Sequence, residues 1–126
     1  MKDTASHRVL YIEDNPVNVR LVSKILRLRP AINLTVAVTG EDGLAAARAD
    51  TPDLILLDWR LPAMQGAEVL DELTGTAPTA LVPVVVFSGD SGREQVVEIL
   101  RAGAAAFLPK PFAIDELLAI VDTYCG

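Results

Sequence analysis

One stretch limits what this chain can fold into: Leu54-Ile55-Leu56-Leu57, a continuous apolar run closed by Asp58 and then, after Trp59-Arg60-Leu61, by Pro62. A half-exposed strand alternates apolar with polar residues, whereas an unbroken run bounded by turn signals reads as a strand covered on both faces. Such strands lie at the centre of parallel sheets. Asp58 falls at the carboxyl end of this strand, where open α/β sheets gather their ligand and catalytic groups. Taken alone, the carboxylate is more simply a polar strand terminus or a helix cap.

The rest of the chain repeats the same unit. Arg8–Ile12 reads as a first strand and is followed by Glu13-Asp14-Asn15-Pro16. Asn15 suits a helix N-cap and Pro16 the first helical position, which predicts a helix over Pro16–Leu28. Its inward face is expected to carry Asn18, Leu21, Val22 and Ile25, flanked by Val17 and Val19 as a packed rim or a partner-docking surface. Further strands are expected over Leu34–Val38, Pro83–Phe87 and Ala105–Leu108. A capping box at Thr39–Asp42 opens a helix over Gly43–Ala49, and a third helix covers Ala67–Leu73. Ser91 and Glu94 have capping-box spacing before a helix over Arg93–Ala102, and the last helix runs from about Ala113 to Tyr124 with Ile114, Leu117, Leu118 and Val121 on one face. Trp59 is a candidate for partner contact. Strand and helix thus alternate five times, which predicts an α/β fold, a doubly wound five-stranded parallel sheet with helices on both faces and right-handed crossovers. Residues 1–7 read as an N-terminal tail and residues 8–124 as the domain.

Composition excludes several functions. At 126 residues the chain fits one domain, and with 51% hydrophobic but 5% aromatic residues its core must be mainly Val, Leu, Ile and Ala. No apolar segment approaches the roughly 20 residues of a membrane span, and the N-terminus lacks a signal-peptide centre, so a cytoplasmic location without membrane contact is expected. The single cysteine, Cys125, rules out an internal disulfide and a cysteine metal cage. The single histidine, His7, removes zinc chemistry and a Ser-His-Asp triad. The turn after the first strand has no glycine, so a phosphate-cradling fingerprint is absent. A formal charge of −6 with eleven scattered Lys and Arg argues against direct nucleic-acid binding and points to proteins and cations as partners.

What remains is a convergence. Glu13 and Asp14, Asp58, Ser88 and Lys110 all stand at the carboxyl ends of predicted strands. Two carboxylates about 4 Å apart repel by roughly 4 kcal/mol at an effective dielectric near 20, so three acids at one edge call for a cation. Oxygen ligands favour Mg²⁺. Lys110 adds a second positive charge for Asp58 or for an anion attached to it.

These residues carry a family resemblance: Glu13-Asp14-Asn15, Asp58 followed by Leu61-Pro62 and Gly66, Ser88-Gly89, and Lys110-Pro111-Phe112. The chain resembles the receiver domain of bacterial two-component response regulators (CheY-like) across residues 8–124. The resemblance implies the flavodoxin-like strand order 2-1-3-4-5 and a phosphorylation switch. Asp58 would be the phosphoacceptor, served by a histidine kinase or a histidine phosphotransfer protein. Asp14, Asp58 and the backbone carbonyl of Arg60 would hold Mg²⁺, with Glu13 acting through water. Ser88 and Lys110 would contact the phosphoryl oxygens, and Phe107 would follow Ser88 inward as the second switch residue. The Lys110–Pro111 peptide is expected to be cis. Self-phosphorylation from a phosphodonor and autodephosphorylation are the only chemistry expected, and homodimerisation through the last two helices stays open. Beyond the family pattern, an Arg60–Asp90 ion pair is expected to gate water at the site. The alternatives are a Mg²⁺-dependent phosphohydrolase, which usually needs a general acid where Arg60 stands, and a receiver-like interaction module that is never phosphorylated.

Overall fold

The computed structural model describes residues 6–90 and 92–125. Its strands are β1 (His7–Ile12), β2 (Ile32–Ala37), β3 (Leu54–Asp58), β4 (Val84–Ser88) and β5 (Ala106–Pro109). Its helices are α1 (Pro16–Leu26), α2 (Gly40–Ala49), α3 (Gly66–Gly75), α4 (Arg93–Arg101) and α5 (Ile114–Cys125), with a single 3-10 turn over Thr79–Leu81 before β4. The strands form one parallel sheet in the order β2-β1-β3-β4-β5. The doubly wound architecture expected from the alternation of elements and the strand order implied by the family resemblance are both present.

β3 is buried at every position and lies between β1 and β4. Successive side chains of a strand point to opposite faces, so its apolar run feeds two separate cores. Leu54 and Leu56 join Val9, Tyr11, Val85, Phe87 and Leu108 against α1 and α5, where Val22, Ile25, Leu117 and Val121 close the layer. Ile55 and Leu57 join Leu10, Ile12, Val84 and Val86 against α2, α3 and α4, packed by Leu44, Leu70 and Ile99. Each such burial is worth about 1.5–3 kcal/mol, against about 0–1 kcal/mol for an exposed ion pair. Packing behind it therefore sets where Asp58 emerges. The sheet order reverses between β1 and β3, and the carboxyl ends of these two strands flank the crevice in which open α/β sheets hold ligands.

Local expectations hold unevenly. Asn15 caps α1 by accepting from Val17 N at 2.9 Å, and Thr39 caps α2 by accepting from Asp42 N at 3.0 Å, so α2 begins at Gly40 rather than Gly43. His7 belongs to β1 and not to a tail: its N–H donates to Ala31 O at 2.9 Å and it pairs with Ile32. Residues 1–5 of the expected tail lie outside the described residues. On α1 the buried stripe is Val22, Ile25 and Leu26, whereas Leu21, expected inward, is 46% exposed. On α5 the stripe is Leu117, Val121 and Cys125, with Leu118 half-buried and Ile114 exposed ahead of it on the first turn. Ser91, the expected cap of α4, lies outside the described residues, and the N-cap position is Gly92 with no side-chain cap.

One glycine ties α3 to the strand that carries Asp58. A Cβ on Gly66 would stand 2.7 Å from both Cα and O of Trp59 and 2.9 Å from Asp58 O, all backbone atoms. The Gly66 N–H also donates to Trp59 O at 3.1 Å. Gly66→Ala is expected to destabilise the fold by about 2–3 kcal/mol through overpacking against unyielding backbone. The midpoint of urea unfolding measures this, and a loss under about 0.5 kcal/mol, the scale of a neutral surface change, would contradict it.

Candidate functional site

Glu13 and Asp14 directly follow β1, Asp58 and Ser88 are the last residues of β3 and β4, and Lys110 follows β5. The sheet therefore places all these groups at its carboxyl edge and brings Glu13, Asp14, Asp58 and Lys110 within reach of one another. Lys110 Nζ donates to Asp58 Oδ1 at 2.8 Å and to Glu13 Oε1 at 3.3 Å. One carboxylate oxygen from each of Glu13, Asp14 and Asp58 lies within 4.8 Å of the others. Three acids face one ammonium. The surplus negative charge and the all-oxygen donor set fit a hard divalent cation such as Mg²⁺. The Lys110–Pro111 peptide is cis, as the family resemblance implied.

Glu13 and Asp58 are held very differently from Asp14. Asp14 is exposed, while Glu13 is 1% and Asp58 5% exposed. Glu13 also accepts from the Tyr11 hydroxyl at 3.0 Å, from Asn18 Nδ2 at 3.3 Å and from Asn15 N at 3.3 Å. Tyr11 and Asn18 were placed in the sequence only as a strand residue and a member of the inward stripe of α1. The signal for Tyr11 was available: residues two apart on a strand share a face, and a buried phenol needs a partner. The contact of Asn18 crosses from α1 to the end of β1, which strand and helix periodicity do not reveal.

Burial pushes the Asp58 carboxyl up to about 6 against the pull of Lys110, and the Glu13 charge pushes in the same direction. Burial works to lower Lys110, but its hydrogen bond and attraction to Asp58, and then to Glu13, more than offset this and raise it. Tyr11 is raised beyond any working pH by burial and then by the Glu13 carboxylate, so its phenol remains a hydrogen-bond donor.

Strand alternation divides the site. Asp58 continues the parity of Leu54 and Leu56, and Glu13 that of Val9 and Tyr11, so both acids and Lys110 stand on the α1/α5 side. Ser88 continues Val84 and Val86 on the opposite side, where Phe107 packs half-buried beside β4 in register with Val86. The Ser88 hydroxyl is engaged locally, donating to Asp90 O at 3.3 Å and accepting from Asp90 N at 3.1 Å.

Two expectations about the loops fail. Among the described residues no ion pair joins Arg60 to Asp90, because Asp90 Oδ1 turns back to accept from Gly92 N at 3.0 Å. Trp59 is 8% exposed and packs in the α2–α4 core, since alternation turns it away from the site face of Asp58. Arg60 is exposed and lines a cavity of about 540 Å³ with Asp14, Gln65 and Gln95, which had not been singled out, at the mouth of the site.

A family model described as the response regulator receiver domain matches residues 9–122. The chain belongs to this family. The probable transcriptional regulatory protein TcrX of Mycobacterium tuberculosis is 36% identical over 110 residues, which is 87% of this chain and 46% of that relative. Response regulator PleD of Caulobacter vibrioides is 36% identical over 113 residues, 90% of this chain and 24% of that relative. The chain thus spans about a quarter to just under half of these relatives. The receiver domain of sensor histidine kinase PA1611 from Pseudomonas aeruginosa, solved with a magnesium ion coordinated in its active site cleft, superposes with a TM-score of 0.87 at 28% identity, covering 96% of this chain and 98% of that one.

The buried acid of this receiver domain makes stability pH-dependent. With Asp58 raised from 3.8 to about 6, the folded state holds more protons than the unfolded state between those values. Stability in metal-free buffer is therefore expected to fall as pH rises through this window and to level off above it. A shift of this size corresponds to about 3 kcal/mol, reduced to about 1–2 kcal/mol by solvent at the open mouth. Asp58→Asn should raise stability near neutral pH by about that amount and flatten the profile. Urea unfolding of both proteins across the window tests the sign.

Proposed function

We propose that this receiver domain is a phosphoacceptor switch in which Asp58 takes a phosphoryl group from a phosphohistidine on a histidine kinase or a histidine phosphotransfer protein. The observation that carries this reading is the 2.8 Å contact of Lys110 with Asp58, set beside the carboxylates of Glu13 and Asp14. An Asp58 carboxylate oxygen forms the bond to phosphorus, and the phosphorus–nitrogen bond breaks with its electron pair leaving on the imidazole. Asp14, Asp58 and the Arg60 carbonyl are the groups proposed to hold Mg²⁺, with Glu13 acting through water. The ion supplies charge neutralisation for the carboxylates and the phosphoryl oxygens.

The chain's own residues do the remaining work. Lys110, released from part of its duty to Asp58, pairs with a phosphoryl oxygen. Ser88 gives up its long contact with Asp90 O and donates its hydroxyl to another oxygen. Phosphorylation brings Asp58 to a charge of about −1.5 to −2, enough to favour the arrangement that draws Ser88 inward. Phe107, on the same face and without a hydroxyl to satisfy outside, follows by burial alone. Val17, 64% exposed, and Leu21 lie on α1 just after the site and offer apolar contact to the phosphodonor. The whole protein's output is set by what this switch is coupled to.

Incubation with acetyl phosphate and Mg²⁺, followed by intact-mass measurement, tests the reading. One added phosphoryl group is expected, absent in Asp58→Asn and in the presence of a chelator. Sustained hydrolysis of the donor with no adduct would instead identify a phosphohydrolase. No adduct and no hydrolysis under any condition would leave an interaction module.

A further inference from the structure

Glu13 is the most deeply buried acid of the cluster, at 1% exposure, and its two oxygens are not equivalent. Oε1 accepts from the Tyr11 hydroxyl, Asn18 Nδ2 and Lys110 Nζ. Oε2 accepts only from Asn15 N, at 3.3 Å. An ionised carboxylate oxygen offers about two lone-pair sites, so Oε1 is saturated and Oε2 retains capacity. Of the donors to Oε1, Lys110 is shared with Asp58, and Asn18 is half-buried on α1. Tyr11 is different. Its side chain is fully buried, its ring lies 5.7 Å from that of Phe87, and Phe87 in turn lies 5.3 Å from Phe112. The phenol cannot follow Glu13 if that side chain turns.

We infer that Tyr11 is a positioning residue for the metal site: its hydroxyl anchors Oε1 of Glu13 and so fixes the orientation of the whole carboxylate, including Oε2, the oxygen with lone-pair capacity to spare. The inference rests on the Mg²⁺ reading above and deepens it. Phenylalanine would fill the same space against Phe87, so packing alone does not account for a hydroxyl at this depth. Hydrogen bonds that orient metal-site carboxylates from behind typically alter metal affinity by 10–100-fold, and with Glu13 acting through water the lower end applies.

The sign of the effect separates orientation from charge. Removing a donor leaves more negative charge on Glu13, which by Coulomb attraction alone would tighten a cation. Loss of orientation loosens it. The readout is the fluorescence of Trp59, the only tryptophan, which directly follows Asp58. Mg²⁺ titrations are made on the wild type, Tyr11→Phe, Asn18→Ala and the double variant, with thermal melts to confirm folding. Tyr11→Phe is expected to weaken Mg²⁺ about tenfold. Asn18→Ala, which removes a donor from the same oxygen without touching the core, is expected to weaken it less, and the double variant by less than the product of the two. Equal or tighter Mg²⁺ binding in folded Tyr11→Phe overturns the inference, as does unchanged affinity in Asn18→Ala if Tyr11→Phe does not fold. A wild type that shows no Mg²⁺ binding by fluorescence or by calorimetry overturns the metal reading itself, and this inference with it.

Discussion

The site depends on one ammonium group placed between two buried carboxylates. Lys110 contacts Asp58 and Glu13 together, while Asp14 adds a third negative charge from the surface. Like charges about 4 Å apart repel by roughly 4 kcal/mol even at an effective dielectric near 20, so this arrangement is not one that the acids would adopt by themselves. It is imposed from behind. The apolar residues of β3 and its neighbours, buried on both faces, drive the strands into register, and the acids are carried to the edge by that packing. The tension is concentrated in Asp58, whose burial outweighs the help of Lys110 and makes its ionised form harder to keep. A receiver domain gains from this. A buried carboxylate held under such tension beside the Lys110 ammonium responds strongly to any change in the charge around it.

Much of this was legible in the sequence because the physics involved is local or periodic. The unbroken run before Asp58 announced a two-sided strand, and the caps Asn15 and Thr39 announced helix starts, since each rests on contacts within a few residues. The edge cluster was legible because every member stands at the end of a strand, and a parallel sheet places all such ends on one side. Side-chain direction in loops was not legible. Trp59 still keeps the alternation of β3 and turns into the core, whereas Arg60, with no period left to constrain it, stays at the surface. Asp90 found a backbone N–H two residues away, which competes readily with a partner across the site. Leu21 failed for a related reason. A helical face is wide enough that either Leu21 or Leu26 fits the inward pattern, and the choice falls to the shape of the sheet beneath. The Tyr11–Glu13 contact lies within reach of simple alternation, but an aromatic in an apolar strand reads first as core.

Strand alternation carries a consequence for communication. Asp58, Glu13 and Lys110 look toward the compartment under α1 and α5, whereas Ser88 and Phe107 look toward the one under α3 and α4. The two compartments are separated by the sheet itself, whose close-packed strands belong to both. A change of charge at the edge therefore bears on both cores at once, through Asp58, Glu13 and Lys110 on one side and through Ser88 and Phe107 on the other.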